Sequence, residues 1–181
     1  MQHYKTTFPQ SYIKSVEAGA KFHQEYKTWS GKGTFQYKDF IKEIISTHKV
    51  KTILDFGAGK GIQYSKYNLD KEFNCDVTVY DPCIHGLENW PTGKYDLVMA
   101  LDCISLIDIH DLPWMYNEFT NWASKAVFIT TQIGKNGKQS KQEKYTDIIP
   151  IDAEHQLLPN QLVGSLGIKF YIMNNHRFIH Q

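Results

Sequence analysis

A short apolar run, Thr52-Ile53-Leu54-Asp55-Phe56, passes directly into Gly57-Ala58-Gly59-Lys60-Gly61. No other stretch restricts the fold as much. The run is β-branched and aromatic enough for a strand. The glycines let the backbone turn sharply and come close to a ligand with no Cβ in the way. A plain strand-to-helix turn does not require three alternating glycines, so the bend is read as a binding loop. It lies at the C-terminal end of a strand, where open parallel sheets bind their ligands.

The flanking segments alternate in type. Ser11 to Lys27 reads as a helix, and Ser30-Gly31-Lys32-Gly33 as a break. From Tyr37 to Lys49, residues Phe40, Ile41, Ile44 and Ile45 share one face at helical spacing. A further helix is expected after the glycine bend, through Tyr64 and Leu69. Asp76 to Asp81 is a second strand, stopped by Pro82. Tyr95 to Leu101 is a third, and its continuous apolar run implies burial on both faces. Asp111 to Ala123 is a helix, with Asp111 as the expected cap and Pro113 in its first turn. Ala126 to Thr131 is the fourth strand. A polar, lysine-bearing segment follows, Gly134 to Lys144, and then a helical stretch over Asp152 to Leu166. Lys169–Met173 and Arg177–His180, around Asn174-Asn175-His176, read as an antiparallel hairpin. The alternation implies an α/β fold: a mostly parallel sheet, helices on both faces and an antiparallel C-terminal edge.

Asp81 ends the second strand, 22 residues after Gly59. A carboxylate there can accept hydrogen bonds from the hydroxyls of a ribose. A dinucleotide fingerprint needs its third glycine at position 62, which is Ile; here it is Gly61. A phosphate-gripping Walker loop needs Gly-Lys-Ser/Thr, whereas Lys60 is followed by Gly61-Ile62. The glycine pattern with Asp55 before it suits S-adenosylmethionine, whose ammonium and sulfonium a carboxylate attracts.

Ile53 to Gly61, Tyr80-Asp81-Pro82 and Tyr95 to Ile107, in that order, resemble the class I S-adenosylmethionine-dependent methyltransferases. The resemblance covers about residues 51 to 133. It implies a Rossmann-like three-layer sandwich in one domain, 1–181: N-terminal helices over 1–49 capping a cofactor-binding core over 50–181. It implies that Asp55, Gly57, Ala58, Gly59 and Gly61 hold the methionine part, and that Asp81 and Pro82 hold the ribose. Leu101 and Asp102 would lie beside the transferable methyl. The chain departs from the family in two places. Many small-molecule members carry Asp-Val-Leu-Glu-His after the fourth strand, and this chain has Asp102-Cys103-Ile104-Ser105-Leu106. Only 14 residues separate Asp81 from Asp96, so the sheet edge that usually holds the family's third strand is abbreviated. Trp90, or its neighbours Glu88 and Asn89, is then the expected adenine contact.

Methyl transfer from a sulfonium is an in-line displacement with a good leaving group already in place. The protein must align the acceptor and exclude water. A base is needed only where the acceptor must lose a proton. Asp102 and His110 are the catalytic candidates, with Asp108 and Asp111 behind them. No metal-ligand pattern is present, and a small molecule is the expected acceptor. A second reading keeps the cofactor fold without transfer and gives it a protein partner. A third, a nicotinamide-dependent oxidoreductase, is disfavoured by the position of the third glycine.

Bulk properties fit these expectations. A net charge of +1 argues against a general nucleic-acid binder. No apolar run is long enough to span a membrane, and Met1 to Gln10 lacks the apolar centre of a secretory signal. Cys75, Cys83 and Cys103, three in all, suit a reducing compartment, and a cytoplasmic location is expected.

Overall fold

A computed structural model describes residues 8–25, 30–131 and 168–174. Among the described residues, five strands form one sheet: β1 (Thr52–Phe56), β2 (Asp76–Tyr80), β3 (Tyr95–Leu101), β4 (Ala123–Thr131) and β5 (Lys169–Asn174). Their order is β2-β1-β3-β4-β5. Every neighbouring pair runs parallel. The chain moves one way from β1 to β2, then crosses back to β3 on the other side of β1. That reversal is the topological switch point of a doubly wound sheet.

The strand pleat divides the core between two faces. Ile53, Leu97, Met99, Ala126 and Phe128 point to one face, against Ile41 and Ile44 of α2 (Lys38–His48) and Tyr64, Leu69 and Phe73. Tyr64 is on α3 (Ile62–Ser65), and Leu69 and Phe73 are on α4 (Leu69–Phe73). Leu54, Phe56, Val98, Ala100, Val127 and Ile129 point to the other face. They meet Tyr12 of α1 (Gln10–Glu25) and Met115, Tyr116 and Phe119 of α5 (Leu112–Trp122). β3 is wholly buried from Leu97 to Ala100, as its unbroken apolar run requires. Each fully buried large side chain on these faces, such as Phe119 or Phe128, contributes roughly 1.5–3 kcal/mol of burial.

Several expectations are modified. The break at Ser30-Gly31 is present, with Gly31 at φ 90°, but Lys32–Tyr37 then forms a 3₁₀ helix leading into α2. The helix expected through Tyr64 and Leu69 is two short ones, split at Asn68, which is left-handed at φ 53°. Asp111 is not a side-chain cap for α5. Instead, Asp108 caps the preceding 3₁₀ turn, accepting from the His110 N–H at 2.9 Å. The link from β2 to β3 contains neither helix nor strand, so among the described residues β2 is the sheet edge, in keeping with the abbreviation.

The sheet is parallel throughout among the described residues, with no antiparallel edge in them. Lys169–Asn174 pairs parallel to β4, from Ala126↔Lys169 to Thr131↔Asn174. The 37 residues from 132 to 168 are ample for the crossover that a parallel pair needs. Arg177–His180, the lysine-bearing segment and the helix over 152–166 lie outside the described residues.

Candidate functional site

The site forms where β2, β1 and β3 end side by side. After Phe56 the chain turns through Gly57, Gly59 and Gly61, with φ of 73°, 61° and 64°. All three are in the left-handed region, where only glycine is unstrained. The bend is tied to the neighbouring strand: the Gly57 and Ala58 N–H groups both donate to the Tyr80 carbonyl, at 2.8 and 3.1 Å. Gly57 is also a close-packing position, since a Cβ there would lie 2.6 Å from the Cys103 Sγ.

Asp81 is buried at the end of β2. Its Oδ2 accepts from the Gly59 N–H at 2.8 Å, and its Oδ1 accepts from the Cys83 N–H at 2.9 Å. This bond joins the glycine bend to the acid 22 residues further on. Burial raises the Asp81 pKa, and the two backbone donors partly offset that. Each carboxylate oxygen has two lone pairs, so accepting one N–H leaves capacity for a ligand hydroxyl.

Asp55 is 1% exposed and sits beneath the bend on the α3 side. Its Oδ2 accepts from the Tyr64 hydroxyl at 2.6 Å and from Gln63 Nε2 at 3.2 Å. Burial pushes its pKa up to about 6, although both hydrogen bonds pull it down, and the nearby Asp81 charge adds to the rise. Gln63 Nε2 also donates to the Ala58 carbonyl at 3.2 Å. Two acceptors fix the orientation of the amide and turn Oε1 toward Gly31.

The third acid differs. Asp102 follows β3 at φ 56° and is half-buried. Asp and Asn tolerate this conformation better than other non-glycine residues. Its N–H donates to the Thr130 hydroxyl at 2.8 Å, and that hydroxyl donates to Asp102 Oδ1 at 2.8 Å. The Tyr37 hydroxyl donates to the same oxygen at 3.0 Å, and Gln36 Nε2 reaches Oδ2 at 3.4 Å. The Tyr37 phenol is pushed up to about 12, first by burial.

The sequence-predicted residues therefore separate into groups. Asp55, Gly57, Ala58, Gly59, Gly61 and Asp81 form one hydrogen-bonded unit. Pro82 follows Asp81 and is half-buried; Leu101 and Asp102 end β3, the neighbour of β1 on the other side. Trp90 lies in an aromatic cluster, near-parallel to Trp114 at 5.9 Å and 4.5 Å from Phe8. His110 is exposed on the turn before α5, and Asp111 beside it is buried.

Sequence reasoning missed Gln63, Tyr64, Gln36, Tyr37, Thr130 and Gly31. The first two had a usable signal: polar side chains just after the bend, beside a strand acid that must be buried. The others reach the site only through tertiary packing. Gly31 lies against the bend, where a Cβ would overlap Gln63 Oε1 and stand 2.5 Å from the Ala58 carbonyl oxygen.

Comparison with known proteins leaves the geometry to speak alone. No family model, curated protein or solved structure matches this chain.

Proposed function

We propose that the chain binds S-adenosylmethionine at the ends of β2, β1 and β3 and transfers its methyl group to a small-molecule acceptor. The observation that carries this reading is the 2.8 Å hydrogen bond from the Gly59 N–H to Asp81, within a bend of left-handed glycines at the switch point. That bond holds a ribose-accepting carboxylate against bare backbone. Asp55, one strand over, supplies the negative charge for the cationic end of the cofactor. When bound, the cofactor supplies an activated methyl on sulfur. The residues of the chain bind, orient and keep water out. Asp102 is placed to accept a hydrogen bond from the acceptor while Thr130, Tyr37 and Gln36 hold it still.

Calorimetric titration of the purified chain with S-adenosylmethionine tests the reading. Saturable binding that falls at least tenfold in Asp81→Ala is expected. No detectable affinity in the parent chain would end the proposal.

A second reading, a cofactor-binding module without transfer, draws on the same Asp102. Three side-chain donors hold this carboxylate as an acceptor, as a purely structural strand-end acid would be held. Formation of S-adenosylhomocysteine with a pool of small metabolites separates the two readings. Tight binding without turnover on any pool favours the module.

A further inference from the structure

Asp55 and Asp81 are buried acids without a counter-charge. Neither is in an ion pair among the described residues. The charge of Asp81 reaches Asp55 and opposes its ionisation. The surroundings of Asp55 are neutral or acidic. Its partners across the sheet are Val79 on β2 and Met99 on β3. From α3 come the Gln63 amide and the Tyr64 phenol. From α4, the Asp70 charge bears on Tyr64. After β3, the Cys103 thiol is raised first by burial and then by Asp81, Asp55 and Asp102, so three carboxyls act on one neutral group. The lysines of the surrounding elements are engaged elsewhere. Lys38 and Lys42 of α2 meet Glu72 at 3.0 and 2.6 Å. Lys66, after α3, stands over the Tyr67 ring, and Lys60 of the bend acts on His23.

Like charges buried together without a counter-charge are costly, and such a site lowers its charge by holding a proton. A bound cation relieves the same cost, so proton and cation compete. Asp81 keeps its charge the better of the two, because a backbone N–H donates to each of its oxygens. Both donors to Asp55 fall on Oδ2 alone. We infer that a cationic ligand enters this site in exchange for a proton, which Asp55 gives up. The O–H bond of the Asp55 carboxyl breaks and the proton passes to the buffer. The electron pair stays on the carboxylate, whose charge the ligand's cation then balances. Binding is thereby governed by pH. This rests on the proposed function for the identity of the ligand, S-adenosylmethionine; the proton on Asp55 in the empty site does not.

Calorimetric titration of the full chain with S-adenosylmethionine, in buffers of different ionisation enthalpy, counts the protons exchanged. With the Asp55 carboxyl held near pH 6 by burial, about half a proton is expected to leave at pH 6 and about a tenth at pH 7. Affinity should fall toward tenfold per pH unit below pH 6. Asp55→Asn should release no proton at pH 6 and bind with nearly the same affinity from pH 5 to pH 7. Tyr64→Phe removes a donor that favours the carboxylate, so its proton release at pH 7 should exceed that of the parent chain. Binding by the parent chain at pH 6 without proton release, or release that persists in Asp55→Asn, would overturn the inference and leave the proposed function standing. Absence of S-adenosylmethionine binding at every pH would end the proposed function instead. The proton is then read in the empty chain from the carbon-13 shift of the Asp55 carboxyl. A midpoint near pH 6 is expected, and one in the ordinary aspartate range would overturn the inference.

Discussion

The chain leaves β1 and β3 by two bends built on opposite principles. After β1 it uses glycines, and the acids beside them, Asp55 and Asp81, are buried with raised pKa values. After β3 it uses a single left-handed aspartate, half-buried and fixed by side chains from Gln36, Tyr37 and Thr130. The first bend takes its donors from its own backbone and from the helix that follows. The second borrows donors from distant elements. One segment braces both: Gly31 packs against the glycine bend, and Gln36 and Tyr37 hold Asp102. A bare bend leaves its backbone open to close approach, and a scaffolded bend holds a charge in place.

The contrast breaks most severely at the brace. Gly31→Ala combines a left-handed conformation, costing about 1–2 kcal/mol, with overpacking against Ala58 and Gln63, costing about 1–3 kcal/mol. We expect a loss of about 4 kcal/mol in urea denaturation. An unchanged midpoint would mean that the segment does not brace the glycine bend.

Asp55 sharpens the contrast through pH. Its folded pKa of about 6 lies above the ordinary value near 3.9, so between about pH 4 and 6 the folded chain holds a proton that the unfolded chain has released. Stability from this group is greatest below that window and is lost as pH rises through it, by about 3 kcal/mol in total. Asp55→Asn keeps an acceptor for Tyr64 and Gln63 but cannot ionise. It should therefore flatten the descent and be the more stable protein at pH 7, while binding S-adenosylmethionine more weakly. Asp81, also raised by burial, should leave a residual slope. A variant less stable than the parent at pH 7 would contradict this account of the buried acid.

The scaffolded bend should respond less. Tyr37→Phe removes one donor to a half-buried carboxylate, and about 1–2 kcal/mol is expected in thermal or urea unfolding. The smallest effect belongs to Gly61→Ala. Its Cβ would meet Val79 Cγ1 at 3.3 Å, so the left-handed cost of about 1 kcal/mol dominates. If Gly61→Ala proved as damaging as Gly31→Ala, the glycine bend would be strained throughout rather than at its brace.

The parallel core was legible because its signals are local. β3 is a continuous apolar run, and the residues facing α2 and α5 alternate along β1 in step with the pleat. The bend of Gly57, Gly59 and Gly61 was legible because alternating glycines after a strand signal a left-handed turn, which the structure has beside Asp81. The parallel pairing of β5 with β4 was not, because a short apolar run before an Asn-rich turn does not name the strand it lies beside. Nor was the Asp102 scaffold: Tyr37 and Asp102 are 65 positions apart, and nothing in either local pattern points to the other. Trp90 meets Phe8 and Trp114, partners far away in the sequence that nothing in its own loop names.

The late arrival of β5 has a kinetic consequence. Its pairing with β4 closes an excursion of 37 residues, against 19 between β1 and β2. By loop-closure entropy this near doubling costs only about 0.6 kcal/mol more at equilibrium. The order of assembly is affected far more, because long-range parallel pairing forms slowly. Until β5 docks, the outer amides and carbonyls of β4 have no strand beside them, and during refolding they are the part of the sheet most open to pairing with another chain.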